Sequence, residues 1–253
     1  MSASEIWFRR YARQSTPRLR LVGFPHAGGN AQLFHGWPAR LPADIELLAV
    51  RYPGRQERLS EPCIESMDEL VGEITEALTP YRDMPVAFFG HSMGAAVAYE
   101  AAARLEAGTG AGPATVMLSG RNAPHRTSRT QLHRAADEVL IAGVGRLGTL
   151  GGDAYGIPEL RDLLLPALRS DYKLIETYQP EKPVRLRAPI IAYRGDRDPG
   201  CDQQRVLAWE ELTSGGFTLR SFTGDHFYIA PREAELTADI AERLAHVPAR
   251  QTI

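Results

Sequence analysis

The stretch from Pro85 to Arg104 constrains the chain more than any other. Pro85-Val-Ala-Phe-Phe89 is an apolar run of strand composition, Gly90-His91-Ser92-Met93-Gly94 follows it without a break, and the residues from Ala95 to Arg104 are alanine-rich and helical in character. A strand that passes into a helix through five residues has to turn sharply. The two glycines leave room for that turn, and the turn lifts the serine hydroxyl between them out of the sheet.

The rest of the chain repeats the same alternation of short apolar or β-branched runs with longer helical patterns, which argues for a parallel sheet covered by helices on both faces. Strands are expected at Leu19 to Phe24, Ile45 to Val50, Val86 to Gly90, Thr115 to Ser119, Ile190 to Arg194 and Leu219 to Phe222. Met67, Leu70, Val71, Ile74 and Leu78 recur at helical spacing with Asp68, Glu69, Glu73 and Glu76 left for solvent, so a crossover helix is expected there. Leu236, Ile240 and Leu244 mark a last covering helix. About seventy residues separate Ser119 from Ile190, against about 2 to 6 for a typical α/β loop. Something is inserted there. Apolar groups at Val139 to Ile141 and from Leu160 to Leu168, with glycine-rich sequence from Gly143 to Gly156 between them, predict helices on a mobile linker. The expectation is one domain over residues 1–253 with a helical lid at about 125–185. A helical layer with no role in gating is the alternative.

Composition narrows the function. With 29 Lys and Arg against 31 Asp and Glu there is no basic face for a nucleic acid. Cys63 and Cys201 are far apart and outside any CxxC or Cys/His cluster, so neither a disulfide framework nor a metal site is encoded. The N-terminus shows no signal-peptide core, and no run approaches the roughly 18 to 20 apolar residues of a membrane span. A cytoplasmic enzyme is the expectation.

A serine hydroxyl is a weak nucleophile until a base within hydrogen-bond reach takes its proton. His226, in Thr223-Gly-Asp-His-Phe-Tyr228 directly after the strand ending at Phe222, is the candidate base for Ser92. His35, His133 and His246 lack that placement, His91 points away from its neighbour on the turn, and His125 after the fourth strand is the one rival. The acid that orients the base should follow the preceding strand, where Ile190-Ile-Ala-Tyr-Arg-Gly-Asp-Arg-Asp-Pro199 offers two candidates. Asp196 lies closer to the strand; Asp198 precedes Pro199, whose ring favours an extended residue and a projecting side chain. Spacing leaves the two open, and whichever is not catalytic is expected to cap the turn. Two backbone amides should receive the developing oxyanion: Met93, after the nucleophile, and Ala27, in Phe24-Pro-His-Ala-Gly-Gly29 after the first strand.

Taken together, Trp7-Phe8-Arg9-Arg10, Phe24 to Gly29, Arg51-Tyr-Pro-Gly-Arg55, Gly90-His-Ser-Met-Gly-Ala95, Gly195-Asp-Arg-Asp-Pro199 and Gly224-Asp-His-Phe-Tyr228 resemble, in family order, the type II thioesterases of polyketide synthase and nonribosomal peptide synthetase systems. These are α/β-hydrolases related to the medium-chain acyl-carrier thioesterases of fatty-acid synthesis. The resemblance implies Ser92, Asp198 and His226 as catalytic residues, a helical lid, and no cofactor beyond the phosphopantetheine arm that carries the substrate. It further implies hydrolysis of aberrant or short acyl groups from that arm, with acyl or peptidyl carrier domains as transient partners. A general carboxylesterase would use the same triad. For Arg51 to Arg55 the resemblance implies no chemical step, and that stretch reads as a structural loop.

Overall fold

Five strands of near-continuous apolar sequence need cover on both faces, and they receive it. The computed structural model describes residues 2–11, 16–128, 130–148, 152–180 and 182–248. Among them the chain runs α1 (Ala3–Trp7), β1 (Phe8–Arg10), β2 (Leu19–Phe24), β3 (Ile45–Val50), α2 (Met67–Leu78), β4 (Val86–His91), α3 (Met93–Thr109) and β5 (Val116–Ser119). It continues through α4 (Asp137–Gly145), α5 (Pro158–Thr177), β6 (Ile190–Gly195), α6 (Gln203–Leu207), β7 (Phe217–Phe222) and α7 (Glu233–Ala245). One sheet results, in the order β1-β3-β2-β4-β5-β6-β7. All its pairings are parallel except β1 with β3. This is the mixed sheet between helices of the α/β-hydrolase fold.

The pleat divides each central strand between two cores. Val22, Phe24, Phe88, Val116 and Ala192 face α2 and α3, whereas Leu21, Leu47, Phe89, Met117 and Tyr193 face α7 and the short 3-10 turns after β2. Such two-sided burial explains why these strands read as unbroken apolar runs. The alternating, half-exposed β7 begins at Phe217, two residues before the apolar pattern suggested. β1 was not expected, because Phe-Arg-Arg has no strand signal of its own. Long-range contacts make it: Phe8 is buried, Arg10 pairs with the buried Glu46, and the adjacent Trp7 ring lies 4.1 Å from the Arg58 guanidinium.

Between β5 and β6 lie α4, α5 and several 3-10 turns, with Leu140, Leu165 and Leu168 as a small buried cluster of their own. The glycine-rich linker expected from Gly143 to Gly156 falls partly on 149–151, outside the described residues. No helix among the described residues is long and apolar enough to cross a membrane.

Candidate active site

β4 delivers Ser92 to the carboxyl edge of the sheet. Its backbone sits at φ 56° and ψ −116°, a strained conformation for a residue with a side chain. The amide of Ser92 donates to Ser119 O of β5 at 2.8 Å, which helps fix the turn. The flanking glycines are there for space: a Cβ on Gly90 would lie 2.1 Å from Gly94 O, and one on Gly94 would lie 2.1 Å from Phe24 O. Removing both side chains brings α3 against the end of β2, next to the loop that holds Ala27.

Loops after β6 and β7 meet beside it. His226 Nδ1 donates to Asp198 Oδ2 at 2.7 Å, and both side chains are almost wholly buried. The second Asp198 oxygen accepts the Gly200 amide at 2.8 Å, which locks the carboxylate in place. His226 Nε2 has no hydrogen-bond partner, so it is not bonded to Ser92 Oγ in the resting geometry. Catalytic hydrogen bonds are often long before substrate arrives. Ser92, His226, Ala27 and Met93 line one cavity of about 240 Å³. Met93 opens α3, where an amide has no intrahelical acceptor.

Asp196 behaves differently from the turn cap the sequence suggested. Its Oδ1 accepts the Gly224 amide at 2.9 Å and so ties the β6 loop to the loop carrying His226. Asp198 makes the local turn contact instead, through Gly200. His125 is outside the cavity, against Glu211 at 3.1 Å.

Two further histidines pack under the site, His91 with its ring 5.0 Å from that of His226 and His26 5.9 Å from His91. Burial, with the nearby His226 and Arg55, pushes His26 down to about 3; burial, with His226 and His26, pushes His91 well below its ordinary value. Both therefore stay neutral near pH 7 and add no repulsion to a positive charge forming on His226. His91 Nδ1 is bonded to Ser119 Oγ at 2.9 Å, and that oxygen to Tyr228 OH at 2.6 Å, so His91 supports the elbow from below.

The sequence reading missed two groups of residues at the site. Arg121 and Asn122 line the cavity on the loop after β5, with burial lowering the pKa of Arg121; no local pattern marks them. Arg55, read as part of a structural loop, is buried against Asp171 of α5 in a two-pronged ion pair with distances of 2.6 and 2.7 Å. A wider groove of about 660 Å³ beside α2 and α3 holds none of the residues proposed for chemistry. Among the described residues no cluster of His, Cys, Asp or Glu could hold a metal ion, and Cys63 and Cys201 are free.

Comparison with known proteins places this geometry in context. The model of the thioesterase domain family matches residues 19–245. A probable cadicidin biosynthesis thioesterase of Streptomyces griseus is 41% identical over 238 residues, which are 94% of this chain and 66% of that protein. Thioesterase PikA5 of Streptomyces venezuelae is 40% identical over 242 residues, 95% of this chain and 86% of its own length. Among solved structures, the type II thioesterase BorB from the borrelidin biosynthetic cluster superposes with a TM-score of 0.83 at 37% identity, covering 95% of this chain and 97% of BorB.

Proposed function

The chain belongs to the thioesterase family, and from that membership we propose that it is a type II thioesterase that hydrolyses short or aberrant acyl groups from the phosphopantetheine arm of carrier domains. The observation that carries the reading is the state of His226: one ring nitrogen is committed to Asp198, and the other is unpartnered in the cavity that Ser92 lines. The biosynthetic settings of the cadicidin and borrelidin relatives support the choice of substrate. A cytoplasmic location fits two free cysteines.

In the first half-reaction Ser92 Oγ attacks the thioester carbon and passes its proton to His226 Nε2. The imidazolium is stabilised by Asp198. Charge moves to the carbonyl oxygen, where the Ala27 and Met93 amides donate to it. Collapse breaks the carbon–sulfur bond, and the departing sulfur takes the proton from His226. A thiol of pKa about 8.5 leaves with little acid assistance, so the barrier rests mainly on forming the tetrahedral intermediate. Water then attacks the acyl-serine, giving a proton to His226. Collapse of that second intermediate returns the proton to Ser92 Oγ and releases the carboxylic acid.

Two measurements test the reading. Ser92→Ala is expected to abolish turnover with an unchanged melting temperature, since the elbow depends on its glycines and not on the hydroxyl. The second is kcat/KM for one propionyl group on a carrier domain, on CoA and on an aryl ester corrected for its leaving group. Remote contacts with carrier and arm should favour the carrier. Equal values for carrier and CoA would remove the carrier from the proposal and leave a thioester hydrolase.

A further inference from the structure

The loop between β2 and the first 3-10 turn holds a bonding pattern that the hydrolase reading does not use. Tyr52 OH donates to Pro25 O at 3.2 Å, Gly29 N–H donates to His26 O at 2.9 Å, and Gly28 N–H donates to Asp171 Oδ2 at 2.7 Å. Arg55 Nη1 donates both to Gly29 O at 3.0 Å and to Asp171 Oδ2 at 2.6 Å, while its Nη2 donates to Asp171 Oδ1 at 2.7 Å.

Peptide planarity turns these contacts into a statement about Ala27. In a trans peptide the carbonyl and the amide point in opposite directions. The turn bond on His26 O therefore sets the direction of the Ala27 N–H, which shares that plane. The next plane contains Ala27 O and Gly28 N–H, and Asp171 holds it. Gly28 is at φ +71°, the left-handed region, and a Cβ there would lie 2.8 Å from Leu168 Cδ1 of α5. Without the Asp171 bond that middle plane can rotate about ψ of Ala27 and φ of Gly28, and the turn whose His26–Gly29 bond aims the Ala27 amide loses one of the two planes that hold it.

We infer that Asp171 and Arg55 are positioning residues that orient the Ala27 amide toward the oxyanion, so that the loop is correctly set only while α5 is docked. The inference rests on the hydrolase reading above. It makes the segment between β5 and β6 part of the catalytic arrangement rather than a cover alone. Arg55 also balances charge, because a lone carboxylate near a developing oxyanion would oppose it and the paired guanidinium cancels that opposition. Burial works against the charge on Arg55, but Asp171 outweighs it and the pKa of Arg55 is raised. A second tie runs the same way, from His226 N–H to Leu147 O of the inserted segment at 3.2 Å. The loop of Ala27 and the loop of His226 therefore each contact that segment directly.

The test compares wild type, Asp171→Asn, Asp171→Glu, Arg55→Met and the Arg55→Met/Asp171→Asn double variant. Active sites are first counted by labelling with a fluorophosphonate. Turnover of propionyl-CoA and inhibition by an alkylboronic acid, which becomes tetrahedral on serine, are then measured per labelled site. A misplaced donor should cost a good part of the roughly 10²–10³ in kcat that loss of a whole donor costs. Asp171→Asn is expected to lower kcat about 10- to 100-fold with KM changed less than about threefold, and to weaken the boronate in the same proportion. Arg55→Met alone should be worse than the double variant, because it leaves Asp171 charged and unpaired. A purely structural pair would lower the labelled fraction and the melting temperature while leaving kcat and boronate affinity per site unchanged, and that result overturns the inference. Asp171→Glu keeps the charge but moves it by one methylene, so it decides the question in the same way if Asp171→Asn does not fold. Absence of labelling in wild type would overturn the hydrolase reading and the pairing role together; labelling with unchanged kcat in the folded variants would overturn the pairing role alone.

Discussion

Every residue of β2 through β6 is buried, with side chains alternating between two apolar cores, whereas the segment from 120 to 189 lends Ala123, Leu174, Ile175, Leu186 and Ala188 to one of those cores, has a buried cluster of three leucines of its own, and carries many charged contacts. In that segment Arg169 donates to His133 O and Ala135 O at 2.6 and 2.8 Å and pairs with Asp137, and Arg161 pairs with Glu138. Val139, Ile157, Leu160 and Leu163 are large apolar residues left exposed there. The sheet thus gains its order from apolar burial that water enforces over the whole frame. The inserted segment gains much of its order from bonds between particular partners, a few of which reach the catalytic loops. One region supplies the chemical groups at fixed positions. The other meets that frame through α5 and through bonds to the catalytic loops, and the stability of each region can be measured separately.

The largest expected effect sharpens this division. If the chemistry belongs to the frame, Asp198→Asn should lower kcat by about 10⁴, the scale seen when the orienting acid of such a triad is neutralised. Asp196→Asn should cost less than about tenfold, because the asparagine oxygen can still accept the Gly224 amide and the lost charge faces only the exposed Arg197, 4.0 Å away. Both are measured as kcat per active site with propionyl-CoA. A greater loss from Asp196→Asn, or from any residue of the inserted segment, would break the division of labour.

The same contrast explains what could be read from the sequence. Two-sided burial writes itself as unbroken apolar runs, so β2 to β6 and the helices with Leu70 and Ile74 or Leu236 and Ile240 were legible, with strand ends within one residue. The elbow was legible because its glycines are needed at fixed offsets from Ser92. Spacing could not separate Asp196 from Asp198, since both follow β6 and the choice depends on which carboxylate reaches His226 across 28 residues of chain. Nor could it show β1, whose three residues pair only once β3 exists. Arg55 and Asp171 are 116 positions apart, and no local pattern links them. Arg121 and Asn122 were missed for a related reason: a lone polar residue in a loop acquires meaning only from the cavity around it.

A smaller effect tests the two regions as folding units. Phe89 is fully buried at the centre of the sheet, and Phe89→Ala should lower global stability by about 3–5 kcal/mol, read from the urea midpoint at constant slope. Leu140 is equally buried, but in the small cluster of the inserted segment. Leu140→Ala is expected to leave the main transition within about 1 kcal/mol of wild type and instead to speed amide exchange in residues 130–180. If the Leu140→Ala variant lowered the main transition as far as the Phe89→Ala variant, the two regions would be one cooperative unit.

The smallest effect concerns pH, and it sits where the inserted segment is most tightly bonded. Glu176 accepts the Leu132 amide at 2.8 Å, the His133 amide at 3.0 Å and the His133 ring at 2.5 Å. Burial raises its pKa, but hydrogen bonds from His133, Thr130 and Leu132 outweigh burial, so the carboxyl titrates below its ordinary value. A carboxyl that is more acidic when folded stabilises the folded form fully above its unfolded pKa, about 4.3, and loses that contribution as pH falls through the folded value. Amide exchange in residues 130–135, corrected for its intrinsic pH dependence, should therefore be slow and flat from pH 7 to 5 and should rise several-fold below about pH 4. Glu176→Gln keeps the shape but never carries the charge. It should exchange about 2- to 10-fold faster at pH 7, the worth of one or two such bonds, and the carboxyl-linked rise below pH 4 should disappear. Glu176 also lines the cavity that holds Ser92, so Ser92 labelling at pH 7 is measured in both proteins to separate a change at the site from a change in the segment. A rise that persists unchanged in the Glu176→Gln variant would show that some other carboxyl holds the segment, and would move the boundary between the two regions away from Glu176.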